Sequence, residues 1–347
     1  MAKNFLAYQY QNPEFLNNYL KYSRYISFRA ETTVNESYYD LRTFLRYIKI
    51  ATSDENCIEN MNISELQNIS IKDLTLEDMN KVTHFNITDF IYFLRYNLDN
   101  CAKTRNKKLA SIKRFFEYLY INNLITNNPA QNIQAGKLEK RLPKYLTLKE
   151  SKTMLSKTIN SEKKFKIRNY AITCILLNCS IRLSELVNIN LTDFKLDDKT
   201  LRIKGKGGLE RIIYLNDATT EVIEEYLKCR PSLPKSNVDY NALFISGRNK
   251  RISKRTVQQI IEDELYMTFN EKKDGFHTHT LRHTGATLMY NENNTNIFIL
   301  KLILGHKHLS STEGYTHISS KKLQELMQNF NIFSTLLEEG EEKNEWK

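Results

Sequence analysis

Residues 277–283 read HTHTLRH, and they begin the segment that decides the fold of this chain. Six of the seven histidines lie between residues 277 and 317, where LGHKHLSSTEGYTH fills positions 304–317. Such crowding has two explanations: a metal site, or a site that holds a phosphate group with cationic and hydrogen-bonding side chains. Arg282 lies inside the first stretch and favours the phosphate site, because a guanidinium binds phosphate oxygens in pairs.

The metal alternative would use the HxHxxxH spacing of His277, His279 and His283. The chain has no HExxH motif, and no cysteine pair or acidic cluster accompanies these histidines. The sequence therefore predicts a site with no metal and no other cofactor. Insensitivity to a chelator is the observation that would exclude a metal hydrolase.

Size and composition favour a two-domain globular protein. The 347 residues are 41% hydrophobic and carry a net charge of +11, which indicates either nucleic-acid binding or a well-solvated surface. The cysteines are odd in number and form no CxxC motif, so we expect reduced thiols. No apolar run is long enough for a signal peptide or a membrane span, and we expect a cytoplasmic, nucleoid-associated protein without membrane contact.

The first domain, residues 1–133, is predicted to be helical, since all ten glycines lie at or beyond Gly136. Apolar spacing predicts helices over 33–50, 86–98 (capped by Asn86 or Thr88) and 104–120. Residues 53–81 are polar and are predicted to be poor in helix. One side of the third helix is basic, and it either faces solvent or lies against DNA phosphates. Its basic residues are Arg105, Lys107, Lys108, Lys113 and Arg114.

A basic linker, 134–145, leads to a second domain over residues 146–331. Thr147 with Glu150 predicts a capping box at the start of a helix, and 169–177 predicts an apolar helix. Alternating segments at 194–196, 201–203 and 211–215 predict a small antiparallel sheet with Lys206 at a glycine-rich turn. Helices are predicted after Ser253 and over 298–304, and the acidic residues 332–347 form a solvated tail.

Five short motifs of this domain resemble those of the tyrosine recombinase, or phage integrase, family, which includes the Xer proteins. They are SIRLSEL (180–186), GKGGLER (205–211), HTLRH (279–283), LGH (304–306) and SSTEGYTHI (310–318). Their order and spacing agree over 142–326, and 104–133 resembles the end of the family's DNA-clamping domain. Residues 178–181, NCSI, stand where a threonine-glycine turn is common, and 53–84 is longer than in simple Xer members.

The resemblance implies a mainly α fold: a helical, SAM-like DNA-clamping domain and a mostly helical catalytic domain with a small antiparallel β-sheet. It also implies the active-site residues. The catalytic set is Arg182, Lys206, His279, Arg282, His306 and Tyr315, and the supporting pair is Glu185 and His283. The two arginines suit the charge that develops on a phosphodiester, and the phenol needs a base because its ordinary pKa is about 10.

The implied partner is double-stranded DNA with paired recombination sites, bound by a homotetramer, with a related recombinase as an alternative second partner. The amphipathic segment 317–337 either docks on a neighbouring subunit or packs on its own domain. The helix that follows Ser253 is the candidate for the major groove, and 104–120 is its counterpart in the first domain. The residues expected to bind DNA are Arg105, Lys108, Lys113, Lys254, Arg255 and Gln258.

Two further alternatives remain within this resemblance. A DNA-binding protein that keeps the fold without the chemistry would be unaffected by Tyr315→Phe. A type IB topoisomerase-like enzyme would relax DNA without exchanging segments at defined sites. The five motifs together favour a recombinase that integrates, excises, inverts or resolves DNA, including the DNA of a mobile element.

Overall fold

The two parts of the chain differ in secondary structure. The computed structural model describes residues 5–51, 63–138, 143–205, 208–291, 295–305 and 320–330. The chain divides into two compact units, Met1–Lys140 and Arg141–Lys347. The described residues of the first unit form helices, and the second unit combines helices with a three-stranded antiparallel sheet. The chain is therefore mainly α, as the sequence predicts.

The first unit is built around two long helices. Helix α2 packs against α6, and the predicted helices over 33–50 and 104–120 are confirmed by these two elements. Their apolar faces bury Phe44, Phe115 and Phe116 in one core. The unit contains a 3-10 helix (Phe5–Gln11), α1 (Glu14–Lys21), a π-helical turn (Tyr22–Ile26), α2 (Glu31–Ala51), α3 (Ile63–Asn68), α4 (Leu76–Lys81), α5 (His84–Tyr96) and α6 (Ala102–Ile121).

Two predictions for the first unit are wrong. Residues 53–81 are not poor in helix in their described part, because α3 and α4 lie there; residues 52–62 lie outside the described residues. Helix α5 is capped by Thr83 rather than by Asn86 or Thr88. The Thr83 hydroxyl accepts a hydrogen bond from the Asn86 backbone at 3.3 Å, and Asn86 Oδ1 accepts from the Thr83 backbone at 2.8 Å. Asn86 therefore closes the box at the third helical position.

The second unit begins at the predicted cap. Thr147 and Glu150 form a capping box, which confirms the prediction for α7. Ser253 likewise caps α11 through the Thr256 backbone. In its described part, the α-helices are α7 (Leu148–Ile159), α8 (Lys166–Asn178), α9 (Leu183–Val187), α10 (Asp217–Cys229), α11 (Lys254–Phe269), α12 (Thr278–Asn291), α13 (Ile297–Leu304) and α14 (Ser320–Asn329), and a 3-10 helix spans Leu191–Asp193.

The predicted antiparallel sheet is confirmed. Its strands are β1 (Phe194–Lys195), β2 (Thr200–Lys204) and β3 (Glu210–Tyr214), in the order β1-β2-β3. Ile203 pairs with Arg211 and Lys204 with Glu210, and the backbone N–H of Gly205 donates to Leu209 O at 2.7 Å. The turn between β2 and β3 therefore begins at Gly205, directly before Lys206, which lies outside the described residues.

Helix α8 is the centre of the second unit. Residues 171–178 are buried without interruption, because α7, α10, α11 and α12 all pack against this helix. Gly285 of α12 lies so close that a Cβ there would come within 2.0 Å of Leu177 O. This close approach brings the HTLRH segment of α12 against the residues that follow α8. No helix in the described part of the chain is long and apolar enough to cross a membrane.

Helix α14 packs on its own unit. Met327 and Phe330 are buried in the same core as α8. Asn216 Nδ2 donates to Phe330 O at 2.7 Å, and Gln328 Nε2 donates to Leu215 O at 3.1 Å. Met327 and Phe330 are therefore covered by their own domain, and docking of the segment 317–337 on a neighbouring subunit stays a prediction.

Candidate catalytic site

The first arginine motif forms the start of α9. The backbone N–H of Arg182 donates to Glu185 Oε2 at 2.9 Å, and Arg182 Nη1 donates to Glu185 Oε1 at 2.9 Å. Glu185 is buried, with 3% of its side chain exposed, whereas 37% of the Arg182 side chain is exposed. The carboxylate therefore holds an arginine whose guanidinium remains accessible to an anion in solvent.

A strained turn brings the second arginine to the first. Ser180 has φ +49°, a left-handed conformation in which glycine is preferred. The NCSI turn thus adopts a glycine-like conformation without glycine. This conformation directs the Ser180 carbonyl at Arg282, and Arg282 Nη1 donates to Ser180 O at 2.5 Å.

Arg282 is buried and held at two points. Its Nη2 donates to Leu304 O at 2.8 Å, at the end of α13 and directly before Gly305. Burial, together with the neighbouring Arg182 and Arg211, lowers the pKa of Arg282 to about 10, although Glu185 opposes this shift. Arg282 thus lies in a cluster with more positive than negative charge, an arrangement that favours a bound anion.

The sequence did not identify a role for Arg211, the last residue of GKGGLER. Its Nη2 and Nη1 donate to the two oxygens of Glu185 at 2.9 and 3.2 Å, and its Nε donates to Ile303 O at 3.1 Å. Burial raises the pKa of Glu185, but the hydrogen bonds from Arg211 and Arg182 outweigh this effect, so the pKa is lowered. The available signal was strand alternation, because Arg211 shares a face with the buried Ile213.

Two histidines of the HTLRH motif lie on α12 beside Arg282. The rings of His279 and His283 are 4.9 Å apart, edge to face. Burial lowers the pKa of His279, and His283 and Arg282 lower it further. The pKa of His283 is lowered by burial and by Arg282. Both imidazoles are therefore biased towards the neutral form, which is able to accept a proton.

Three of the predicted catalytic residues lie outside the described residues. They are Lys206, His306 and Tyr315. Of the six predicted catalytic residues, the described part of the chain brings together Arg182, Arg282 and His279. Their supporting residues, Glu185 and His283, lie in the same cluster.

The basic side of α6 is partly engaged within its own unit. Lys108 Nζ lies 3.3 Å from Asp40 Oδ1, and only 13% of the Lys108 side chain is exposed. Lys113 Nζ donates to Ile133 O at 2.9 Å, and Arg105 Nη1 donates to Asn100 O at 2.6 Å. These three residues therefore stabilise the helix ends and the core of the unit in this structure.

The candidates on α11 are more accessible. Lys254 and Arg255 are exposed in the first turn, and Gln258 is half-buried. Arg255 lies 3.4 Å from Gln259 Oε1 and 3.8 Å from Glu262 Oε1, along the exposed side of the helix. An exposed contact of this kind is weak and is easily exchanged for a phosphate.

The metal alternative gains no support from the described histidines. The rings of His277 and His279 are 6.4 Å apart, and His277 Nδ1 is hydrogen-bonded with Thr280 Oγ1 at 2.9 Å. In the part of the chain that the structure describes, no three histidine, cysteine, aspartate or glutamate side chains are grouped to hold a metal ion.

Comparison with known proteins gives a family. Residues 144–322 match the model of the phage integrase family. A tyrosine recombinase XerC of Caldanaerobacter subterraneus subsp. tengcongensis is 39% identical over 318 residues, covering 90% of this chain and 85% of the relative. A tyrosine recombinase XerC of Thermodesulfovibrio yellowstonii is 35% identical over 224 residues, covering 63% of this chain and 73% of the relative.

Solved structures give the same fold. A XerH site-specific recombinase bound to difH substrate has a TM-score of 0.58 at 18% identity, covering 86% of this chain and 90% of its own. A lambda integrase dimer bound to a COC′ core site has a TM-score of 0.61 at 14% identity, covering 99% and 83%. The fold and the sequence matches together define the class, a tyrosine-type site-specific DNA recombinase. The chain belongs to the phage integrase family.

Proposed function

We propose that this recombinase cuts and rejoins DNA through a covalent link between Tyr315 and a 3′ phosphate. The observation that carries the proposal is the pair Arg182 and Arg282, supported by the buried Glu185 and lying beside His279. Two arginines held with little freedom suit the non-bridging oxygens of a phosphodiester, where charge develops as the centre becomes five-coordinate. Preorganised donors of this kind lower the barrier without reorganisation during the reaction.

The remaining roles follow from the proton balance of the reaction. The Tyr315 oxygen forms a bond to phosphorus while the bond to the 5′ oxygen breaks. His279 accepts the phenol proton, and its lowered pKa keeps the imidazole neutral for this step. Lys206 donates a proton to the leaving 5′ oxygen, and His306 supplies a further hydrogen bond to the phosphate. His283 supports His279 from one turn further along α12.

Rejoining is the same step in reverse. The phosphotyrosyl ester keeps the energy of the broken bond, so the 5′ hydroxyl of a second strand displaces Tyr315 without a metal or ATP. Four subunits on two DNA sites would perform two such rounds of exchange. Integration, excision, inversion and dimer resolution are all products of this reaction, and a chain that acts on chromosomal DNA would be found at the nucleoid.

Both domains contribute DNA contacts in this proposal. Residues 1–133 and 146–331 each supply DNA-binding residues, and the basic linker 134–145 joins them. Lys254, Arg255 and Gln258 enter the major groove, because they project from the first turns of α11 and the two cations are exposed. Arg105, Lys108 and Lys113 reach phosphates only if their contacts within the first unit are exchanged.

Covalent attachment of DNA is the decisive measurement. The purified chain is incubated with nicked duplexes from the DNA that flanks its own gene, since a nick lets the 5′ product diffuse away and traps the link. We expect a protein–DNA band on a denaturing gel that survives EDTA. Tyr315→Phe is expected to abolish this band while binding the same duplex, because only the nucleophilic oxygen is removed.

Tyr290→Phe is the matched control. Tyr290 is an exposed residue at the end of α12, and its phenol plays no part in the proposal. It is expected to retain the covalent band. A band that survives in Tyr315→Phe would mean another nucleophile. A band that EDTA abolishes would support the metal mechanism. Tight DNA binding by the wild type, without a covalent band on any nicked duplex, would support a DNA-binding protein that lacks the chemistry.

A further inference from the structure

Arg211 is charged, yet it lies on the inner side of a strand. On β3 it shares a face with Ile213, which is 3% exposed, and only 17% of its own side chain reaches solvent. Placing a guanidinium there carries a desolvation cost, and a buried ion pair is a poor way to gain stability. An inward arginine therefore needs another explanation.

The contacts of Arg211 join three segments that the sequence motifs mark separately. Its Nη1 and Nη2 hold both oxygens of Glu185, which in turn holds Arg182. Its Nε donates to Ile303 O, three residues before His306. Its own strand follows the turn that carries Lys206, and a Cβ at Gly205 would lie 3.8 Å from Glu185 Oε1.

The glycine of the LGH motif has a physical reason in the same contact. Gly305 has φ +63°, and a Cβ there would come within 3.1 Å of Arg211 Nη1 and 3.3 Å of its Cδ. A side chain at this position would therefore press on the guanidinium. The absence of a side chain at Gly305 leaves space for the Arg211 guanidinium. The hydrogen bond from Arg211 Nε to Ile303 O holds the guanidinium in that space.

We propose that Arg211 is a positioning residue of the recombinase site. It acts on the phosphate through Glu185 and Arg182, and it fixes the end of α13 directly before His306. All three nitrogens of its guanidinium donate in these contacts and only 17% of its side chain is exposed, so in this proposal it stabilises the site from within and is not a phosphate ligand. This inference rests on the proposed function, because it assigns Arg211 to the same reaction.

The test substitutes lysine, which keeps the charge but cannot hold both Glu185 oxygens and the Ile303 carbonyl. Arg211→Lys is expected to slow single-turnover formation of the covalent complex on a nicked duplex by about 10- to 100-fold, the loss typical of a residue that orients another ligand. The dissociation constant for the same duplex is expected to change by less than about threefold, since binding draws on many phosphate contacts.

Arg202→Lys is the matched control for a general loss of stability. Arg202 lies on the neighbouring strand and grips a carboxylate of similar burial, Asp193, through Nε at 2.9 Å and Nη2 at 2.8 Å. Both lysine variants are expected to lower the urea midpoint, whereas only Arg211→Lys slows cleavage. Equal cleavage rates in the two variants would overturn the proposal.

A double variant tests the route of the effect. If Arg211 acts through Glu185, adding Arg211→Lys to Glu185→Gln will slow cleavage by less than about threefold, because coupled residues are not additive. Losses that multiply would overturn this route. Should Arg211→Lys fail to fold, Glu185→Met with Arg211→Met removes both buried charges at similar volume, and normal cleavage by that protein would also overturn the proposal.

The controls separate this inference from the function beneath it. If the wild-type protein forms no covalent complex on any nicked duplex, the proposed function is wrong. If the wild type is active and the Arg211→Lys variant is equally active, only the role assigned to Arg211 is wrong.

Discussion

Two buried glutamates of the second unit have opposite protonation behaviour. Glu185 and Glu264 are 4% and 1% exposed, and both lie near α8. Burial raises the pKa of Glu264 to about 8, whereas the two arginines that hydrogen-bond Glu185 reverse the effect of burial and lower its pKa. Burial alone therefore does not determine whether a carboxyl group is charged; the cations within hydrogen-bonding distance do.

The hydrogen bonds of Glu264 agree with a neutral acid. Thr173 Oγ1 lies 2.5 Å from Glu264 Oε2 and 3.1 Å from Asn169 O, but a hydroxyl has one proton to donate. Both contacts are satisfied when the hydroxyl donates to Asn169 O and a protonated Glu264 donates to the hydroxyl. Glu264 thus acts as a core residue, and Glu185 as the charged centre of a functional site.

The largest expected effect comes from removing the charge of Glu185. Glu185→Gln leaves Arg211 and Arg182 without their counter-ion, and breaking a buried pair costs about 3–5 kcal/mol. We expect a loss near the lower end, about 3 kcal/mol, because Arg182 is partly solvated. Urea denaturation of the full chain measures this loss.

Glu264→Gln is the matched control for that substitution. At pH 7 it is expected to leave the free energy of unfolding unchanged or to raise it, since the native side chain is already neutral. Equal destabilisation by the two substitutions would mean that the contrast between the two glutamates is wrong.

The second expected effect comes from Gly285 on α12, and it distinguishes the surroundings of Glu185 from those of Glu264. Gly285→Ala places a Cβ within 2.0 Å of Leu177 O and 2.4 Å of Ser180 Oγ, so α12 must move away from α8. We expect a loss of about 2–3 kcal/mol, in the upper range for overpacking a core. Hydrogen exchange is expected to rise at α12 and the Ser180 turn and to stay unchanged around Glu264. Equal exchange in both regions would contradict this division.

The sequence predicted the elements of the second unit better than it predicted their contacts. Thr147, Ser253 and the strand alternation are local signals, and each predicted an element correctly. Arg211 contacts Glu185, 26 residues away, and Ile303, 92 residues away. Because both contacts are far apart in sequence, no local pattern predicts them. The buried apolar residues of α8 predicted a helix but gave no indication of which neighbour would carry a charge.

The third expected effect is the contribution of Glu264 to the pH dependence of stability. Its folded pKa, about 8, lies above the ordinary value of about 4.3 for an unfolded chain. The folded state therefore binds more protons between these values, and the contribution of Glu264 to stability is full below pH 4 and declines as pH rises to 8.

Glu264→Gln removes that decline because glutamine does not titrate. We expect the variant to gain about 1 kcal/mol on the wild type in free energy of unfolding between pH 7 and pH 8.5, and the gap between the two closes towards pH 5. Glu185 works in the opposite direction, because its lowered folded pKa adds stability above the ordinary value that is lost as pH falls. A gap that widens on acidification would contradict the assignment of the neutral form to Glu264.

The smallest expected effect concerns the strained turn on the Glu185 side. Ser180→Gly relieves a left-handed backbone, which costs a non-glycine residue about 1 kcal/mol, and it removes a buried hydroxyl without a partner among the described residues. Glycine gives back part of this gain, since its unfolded state is more flexible. We expect a net rise of about 0.5 kcal/mol in the free energy of unfolding. Ser180→Ala keeps the strain and removes only the hydroxyl, so a larger gain for alanine than for glycine would show that the backbone of this turn is not strained.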